Sequence, residues 1–167
     1  MPTLLERLFN ITEDQSEIYS LLRATPIFQQ LSLMELKRIE SILHERVYNA
    51  SEIVFEQGEE GLGLYVIRSG HVRVSRLQKG RDVEIARLSR GSFFGELALL
   101  DGSPRAAQAQ AVEKTELIGF FRPELLQLFE THPAIAAKVS FELAKWIGHR
   151  LRETLQRTTQ ITTVHVP

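Results

Sequence analysis

Glu96 and Arg105 are set nine residues apart in the run Phe94-Gly95-Glu96-Leu97-Ala98-Leu99-Leu100-Asp101-Gly102-Ser103-Pro104-Arg105-Ala106-Ala107. Gly95 followed by Glu96-Leu97-Ala98 reads as a helix start, and the first turn of a helix offers backbone N–H groups to an anion. Arginine offers a flat fork of donors that matches phosphate oxygens. A carboxylate cannot bind phosphate, but it accepts well from a hydroxyl. The three features together suit a ligand that carries an anionic group and a hydroxyl side by side.

A frame must hold these groups in place, and the hydrophobic pattern describes one. Residues 3–10 and 15–23 read as helices, with Thr12-Glu13-Asp14-Gln15 as a capping box between them. Ser32 with Glu35 forms a second capping box, followed by Leu33, Leu36, Ile39 and Leu43 at helical spacing. From residue 45 the period becomes two: Val47, Ile53, Phe55, Tyr65, Ile67, Val72, Val74, Val83, Ile85 and Leu88 lie in short alternating runs. Eight of the ten glycines fall between Gly58 and Gly102. Short strands with glycine turns argue for a β-barrel or jelly roll over a parallel sheet. Strands resume over 106–112 and 116–121, Pro123 opens a short helix, and a last helix starts near Pro133. The fold class is therefore α+β, mainly β.

On a wheel of the last helix, Ile135, Val139, Phe141, Leu143, Trp146, Ile147, Leu151 and Leu155 cover about two thirds of the circle, against an apolar stripe of a little over 100° for a helix on one surface. Such a helix needs two contacts, its own barrel and a second copy of itself, or else lies sunk in the core of one chain. Trp146 reads as packing in either case, and the arginines of this helix, mixed with Glu142 and Glu153, read as a solvated face.

Gly95-Glu96-Leu97-Ala98-Leu99 and Pro104-Arg105-Ala106-Ala107, after Gly91 and Phe94, resemble the phosphate-binding cassette of the cyclic-nucleotide-binding domain family. Thr25-Pro26-Ile27-Phe28 with Leu31 resembles the family's leading helical turn. Glu52-Ile53-Val54-Phe55, Gly58, Gly61, Leu64-Tyr65-Val66-Ile67 and Gly70 resemble its first strands, so the likeness spans roughly residues 22–157. It implies an eight-stranded jelly-roll barrel over 22–133, a helical lead-in over 1–21, a lid and dimerisation helix over 134–160 and a tail over 161–167. It also implies that Glu96 accepts the ribose 2′-hydroxyl and that Arg105 pairs the exocyclic oxygens of the cyclic phosphate. Gly95 permits close approach of the backbone, N–H groups of Leu97, Ala98 and Ala106 complete the cradle beside Ala107, and Leu99 and Leu100 anchor the short helix. Ala106 stands where a Thr or Ser accompanies cGMP preference, so cAMP is the expected ligand and cGMP the alternative. Gln108 and Ala109 depart from the family pattern and imply a looser wall. Thr154 stands near where bacterial relatives place a hydroxyl close to adenine.

Composition bounds the other readings. A formal net charge of −1 gives no field that draws nucleic acid or anionic lipid. No apolar run approaches the roughly 18 residues of a membrane span. The absence of cysteine excludes thiolate metal sites and fits a reducing, cytoplasmic compartment. His44, His71, His132, His149 and His165 form no closely spaced pair, so neither a metal enzyme nor a metal cofactor is expected. The likeness is closest to the catabolite-activator branch, whose members continue into a helix-turn-helix. The present sequence ends at Pro167, so output through an unknown protein partner is expected and direct DNA binding is not. The alternative is a ligand-free scaffold or oligomerisation module, in which Glu96 and Arg105 simply pair with each other.

Overall fold

The computed structural model describes residues 17–163, with side chains to residue 156. The helix expected over 3–10, the capping box at 12–15 and His165 lie outside these residues. Helix α1 (described over 17–24) leads into a 3-10 turn, Pro26–Phe28, and helix α2, Leu33–Glu40. The Ser32 box is formed: the Ser32 hydroxyl accepts from the Glu35 N–H, and the Glu35 carboxylate accepts from the Ser32 N–H at 2.7 Å.

Eight strands follow, interrupted by one short helix. They are β1 (His44–Tyr48), β2 (Ile53–Phe55), β3 (Gly63–Ser69), β4 (His71–Gln78), β5 (Arg81–Ser89), β6 (Phe93–Phe94), β7 (Gln108–Ala111) and β8 (Thr115–Phe121). Helix α3, Glu96–Asp101, lies between β6 and β7. Two antiparallel sheets, β1-β8-β3-β6 and β2-β7-β4-β5, face each other as a jelly roll. The barrel closes over Ile67, Val72, Phe94, Ala109 and Leu117.

A second apolar cluster joins the helices to the barrel. Leu22, Ile27, Phe28, Leu36 and Ile39 meet Leu64, Phe93, Leu99 and Phe120 from the barrel side. Helix α4, Arg122–Thr131, carries Pro123 in its first turn and adds Leu125 and Leu128. Helix α5 runs from Pro133 to Thr163, starting at the proline expected to open it. It buries Ile135, Ala136, Val139 and Leu143, with Trp146 and Ile147 partly covered. Leu151 and Leu155 are each 58% exposed, and Phe141, earlier on the helix, is 66% exposed. The barrel thus covers only part of the wide apolar face.

Three expectations need correction. Leu100 is 38% exposed while Leu99 is fully buried, because neighbours on a helix point about 100° apart and only one can face the wall. Glu142 belongs to the buried side of α5: its carboxylate accepts from Lys145 Nζ at 2.9 Å and from Gln29 Nε2 at 3.3 Å, which compensates its burial. Ala109 is packed in the barrel core, so it does not loosen a binding wall.

Candidate functional site

A cavity of about 820 Å³ opens between the barrel and α5. Gly95, Glu96, Leu97, Ala98, Arg105, Ala106, Ala107 and Thr154 all line it, so residues up to 59 positions apart in sequence converge on one space.

Local geometry explains how the cassette folds. Gly95 is the N-cap of α3 in a left-handed conformation, φ +79°. A Cβ there would stand 2.5 Å from Arg105 Nη1 and 3.1 Å from the Gly63 carbonyl, so only glycine leaves room for the guanidinium. Gly61 plays a matching part: a Cβ on it would lie 2.2 Å from the Ala98 Cβ, which means the turn before β3 packs directly on α3. Arg105 is fixed along its backbone. Its N–H donates to the Glu59 carbonyl at 2.8 Å, and its carbonyl accepts from the Gly58 N–H at 2.8 Å.

The Arg105 side chain is 6% exposed. Nη1 donates to the Gly63 carbonyl at 2.6 Å and to the Gly95 carbonyl at 3.1 Å. The guanidinium carbon lies 4.0 Å from the centre of the Phe55 ring, which itself packs on Tyr65 and Phe94. Nε is buried with no partner, and among the described residues Arg105 forms no ion pair. Burial lowers its pKa from the ordinary arginine value, and the opposing fields of Tyr65, Glu59 and Glu96 do not cancel that effect. A buried cation without a counter-charge is costly, so this geometry favours an incoming anion.

Glu96, 7% exposed, does not pair with Arg105. Its Oε1 accepts from Arg150 Nη1 of α5 at 3.0 Å. Arg150 also lies over the Trp146 ring at 4.7 Å, and Trp146 rests on Phe93 with ring centres 4.5 Å apart. The ion pair imagined for the ligand-free alternative is therefore absent. In its place Glu96 ties the barrel to the last helix.

Arg150 and the cavity-facing position of Trp146 escaped the sequence reading, which assigned the arginines of α5 to solvent. The signal was the spacing: Trp146, Arg150 and Thr154 follow at i, i+4 and i+8 and share a helix face. Thr154 lines the cavity, and its hydroxyl donates to the Arg150 carbonyl at 2.9 Å. Gln108 does not line it. Among the described residues no group of three or more His, Asp or Glu side chains could hold a metal, and no helix is long and apolar enough to cross a membrane.

Comparison with known proteins agrees with this geometry. Residues 45–132 match the Cyclic nucleotide-binding domain family. The Cyclic AMP receptor protein of Thermus thermophilus is 37% identical over 133 residues, covering 79% of this chain and 60% of the relative. The crystal structure of Thermus thermophilus Catabolite Activator Protein superposes with a TM-score of 0.75 at 35% identity, covering 83% of this chain and 63% of that one. The regulatory domain of Toxoplasma gondii PKA, crystallised with cAMP, superposes with a TM-score of 0.65 at 28% identity over 69% of this chain and 44% of that one. The chain thus spans three fifths or less of the relative and of the kinase structure, and under two thirds of the activator. With a jelly roll, a glycine-capped α3 and a buried arginine at the cavity wall, the chain belongs to the cyclic nucleotide-binding domain family.

Proposed function

We propose that the chain is a cytoplasmic, non-enzymatic receptor for cAMP that passes ligand binding to a protein partner through α5. The observation that carries this reading is the Arg105 guanidinium, buried against Phe55 with Nε unpartnered and no ion pair among the described residues. The exocyclic oxygens of a cyclic phosphate supply the missing charge, and the N–H groups of Leu97, Ala98 and Ala106 add to the cradle. Glu96 accepts the ribose 2′-hydroxyl. Ala106, with no hydroxyl, offers nothing to a guanine 2-amino group. Thr154, whose hydroxyl donates to its own helix, can accept from the 6-amino group of adenine.

Residues 22–133 form the ligand-binding unit in this reading, 134–160 the lid and dimer helix, and 1–21 and 161–167 its flanks. Phe141, Ala144, Gly148, Leu151 and Leu155 fall within an arc of about 80° on α5. Their exposure and the small residues at 144 and 148 suit a second copy of the helix lying close. Leu151→Glu with Leu155→Glu then shifts a sedimenting dimer to monomer.

Titration calorimetry with cAMP tests the receptor reading. Saturable binding at one site per chain is expected, and no heat at millimolar ligand rejects it in favour of a ligand-free scaffold.

A further inference from the structure

The stretch 55–59 holds Arg105 by its backbone and by its side chain. The Gly58 N–H and the Glu59 carbonyl fix the backbone. Phe55, at the end of β2, sets its ring against the guanidinium, with 4.0 Å between Cζ and the ring centre. Phe55 and Arg105 both line the cavity.

Strand alternation alone would not place this ring. Val54 and Phe55 are neighbours, yet both pack on the barrel core. Successive residues of a regular strand point to opposite faces. Ile53 pairs with Gln110 and Phe55 with Ala109, so β2 carries one extra residue in a β-bulge. Bulges of this kind re-aim a side chain, and here Phe55 turns inward beside Val54. Tyr65 and Phe94, paired across β3 and β6, back the ring with centres 6.3 and 5.8 Å from it.

The donors of Arg105 are unequally engaged. Nη1 gives its N–H bonds to the carbonyls of Gly63 and Gly95, while among the described residues Nε and Nη2 donate to no protein acceptor. A carboxylate in place of the ring would neutralise the cation and fill the fork. An aromatic ring attracts the cation through its quadrupole and leaves Nε and Nη2 to an anion.

We infer that Phe55 is a positioning residue of the anion site: its ring holds the Arg105 guanidinium in the pose that receives phosphate oxygens, without neutralising it. This role rests on the receptor reading above, in which a cyclic phosphate meets Arg105. Without the ring, the guanidinium of the free protein turns to other poses. Binding must then restore the productive one, so affinity falls by up to the worth of the contact.

The test is titration calorimetry with cAMP on the full chain, on Phe55→Leu, and on chains with mono-, di- and trifluorinated phenylalanine at position 55. Leucine keeps apolar bulk without the quadrupole, and the Kd rises about three- to thirtyfold, the range of a partly to fully desolvated cation–π contact. Each fluorine draws charge from the ring face while its shape is kept, so the Kd climbs stepwise through the series. A ring that merely fills space gives the wild-type Kd at every degree of fluorination. That result overturns the inference and leaves the receptor reading in place, and it decides the matter even where Phe55→Leu fails to fold. A wild-type Kd in folded Phe55→Leu overturns it as well. Wild-type protein that binds no cAMP overturns both.

Discussion

Arg150 Nη1 lies 3.0 Å from Glu96 Oε1, so the acid expected to hold the sugar is also the fastening point of the exposed half of α5. In the proposed receptor, a ligand hydroxyl that draws on Glu96 would compete with this contact and shift the helix between two arrangements. Only a difference in ligand affinity between those arrangements can do so.

Arg150→Ala therefore loosens α5 without dismantling the barrel. Amide hydrogen exchange over residues 146–156 is expected to speed up in the free protein, and the change on adding cAMP to shrink. Arg150 is half exposed, so the loss of global stability is on the order of 1 kcal/mol. Exchange identical to wild type with and without ligand would show that the contact couples nothing.

Arg105→Ala removes the buried donor fork. Truncating one partner of a buried charged contact costs about 2–5 kcal/mol, which weakens cyclic nucleotide binding on the order of a hundredfold or more. Arg105→Lys is also poor because an ammonium cannot span two oxygens. The thermal shift given by saturating cAMP, about 2.7 kcal/mol at a hundred times Kd, disappears in step. Affinity like that of wild type in Arg105→Ala removes the proposed mechanism.

Gly95→Ala places a methyl 2.5 Å from Arg105 Nη1 at a φ of +79°. The backbone strain costs roughly 1–2 kcal/mol, and a domain of this size loses about 2–4 °C in Tm for each of them. Affinity falls as well, because the guanidinium must move. A variant that melts lower yet binds normally would separate backbone strain from the position of the cation.

Acid weakens the docking of α5. Glu35 of α2 has its pKa lowered chiefly by Lys138 of α5, and Glu142 chiefly by Lys145, while Gln29 adds a second contact to Glu142. Both carboxyls therefore bind fewer protons folded than unfolded. Their contribution is complete above the ordinary glutamate value of 4.5 and is lost as the pH falls through the lowered folded values. Trp146 fluorescence is expected to report this transition, and Glu35→Gln with Glu142→Gln to remove that part of the titration. An unchanged acid limb in the double variant would assign the transition elsewhere.

The cassette was legible because each residue type there answers a local demand: glycine for the left-handed cap, arginine for a fork, alanine for close packing. The Ser32–Glu35 box was legible for the same reason, as both partners lie within one turn. Arg150 was not, because its partner lies 54 residues away and a helical wheel sorts residues by polarity, not by what faces them. Glu142 was misplaced on the same ground, since its burial depends on Gln29, far back in the chain.

The two backbone hydrogen bonds that clamp Arg105 to Gly58 and Glu59 make the β2–β3 connection intolerant of length change. One residue inserted between 57 and 60 would drag the cation out of position, however conservative its chemistry. The tip at Lys79–Gly80 carries no such duty, and a side chain on Gly80 would meet nothing within 4 Å. A fluorescent reporter spliced into the molecule belongs at the second bend, where the barrel can carry foreign cargo with the Arg105 clamp untouched.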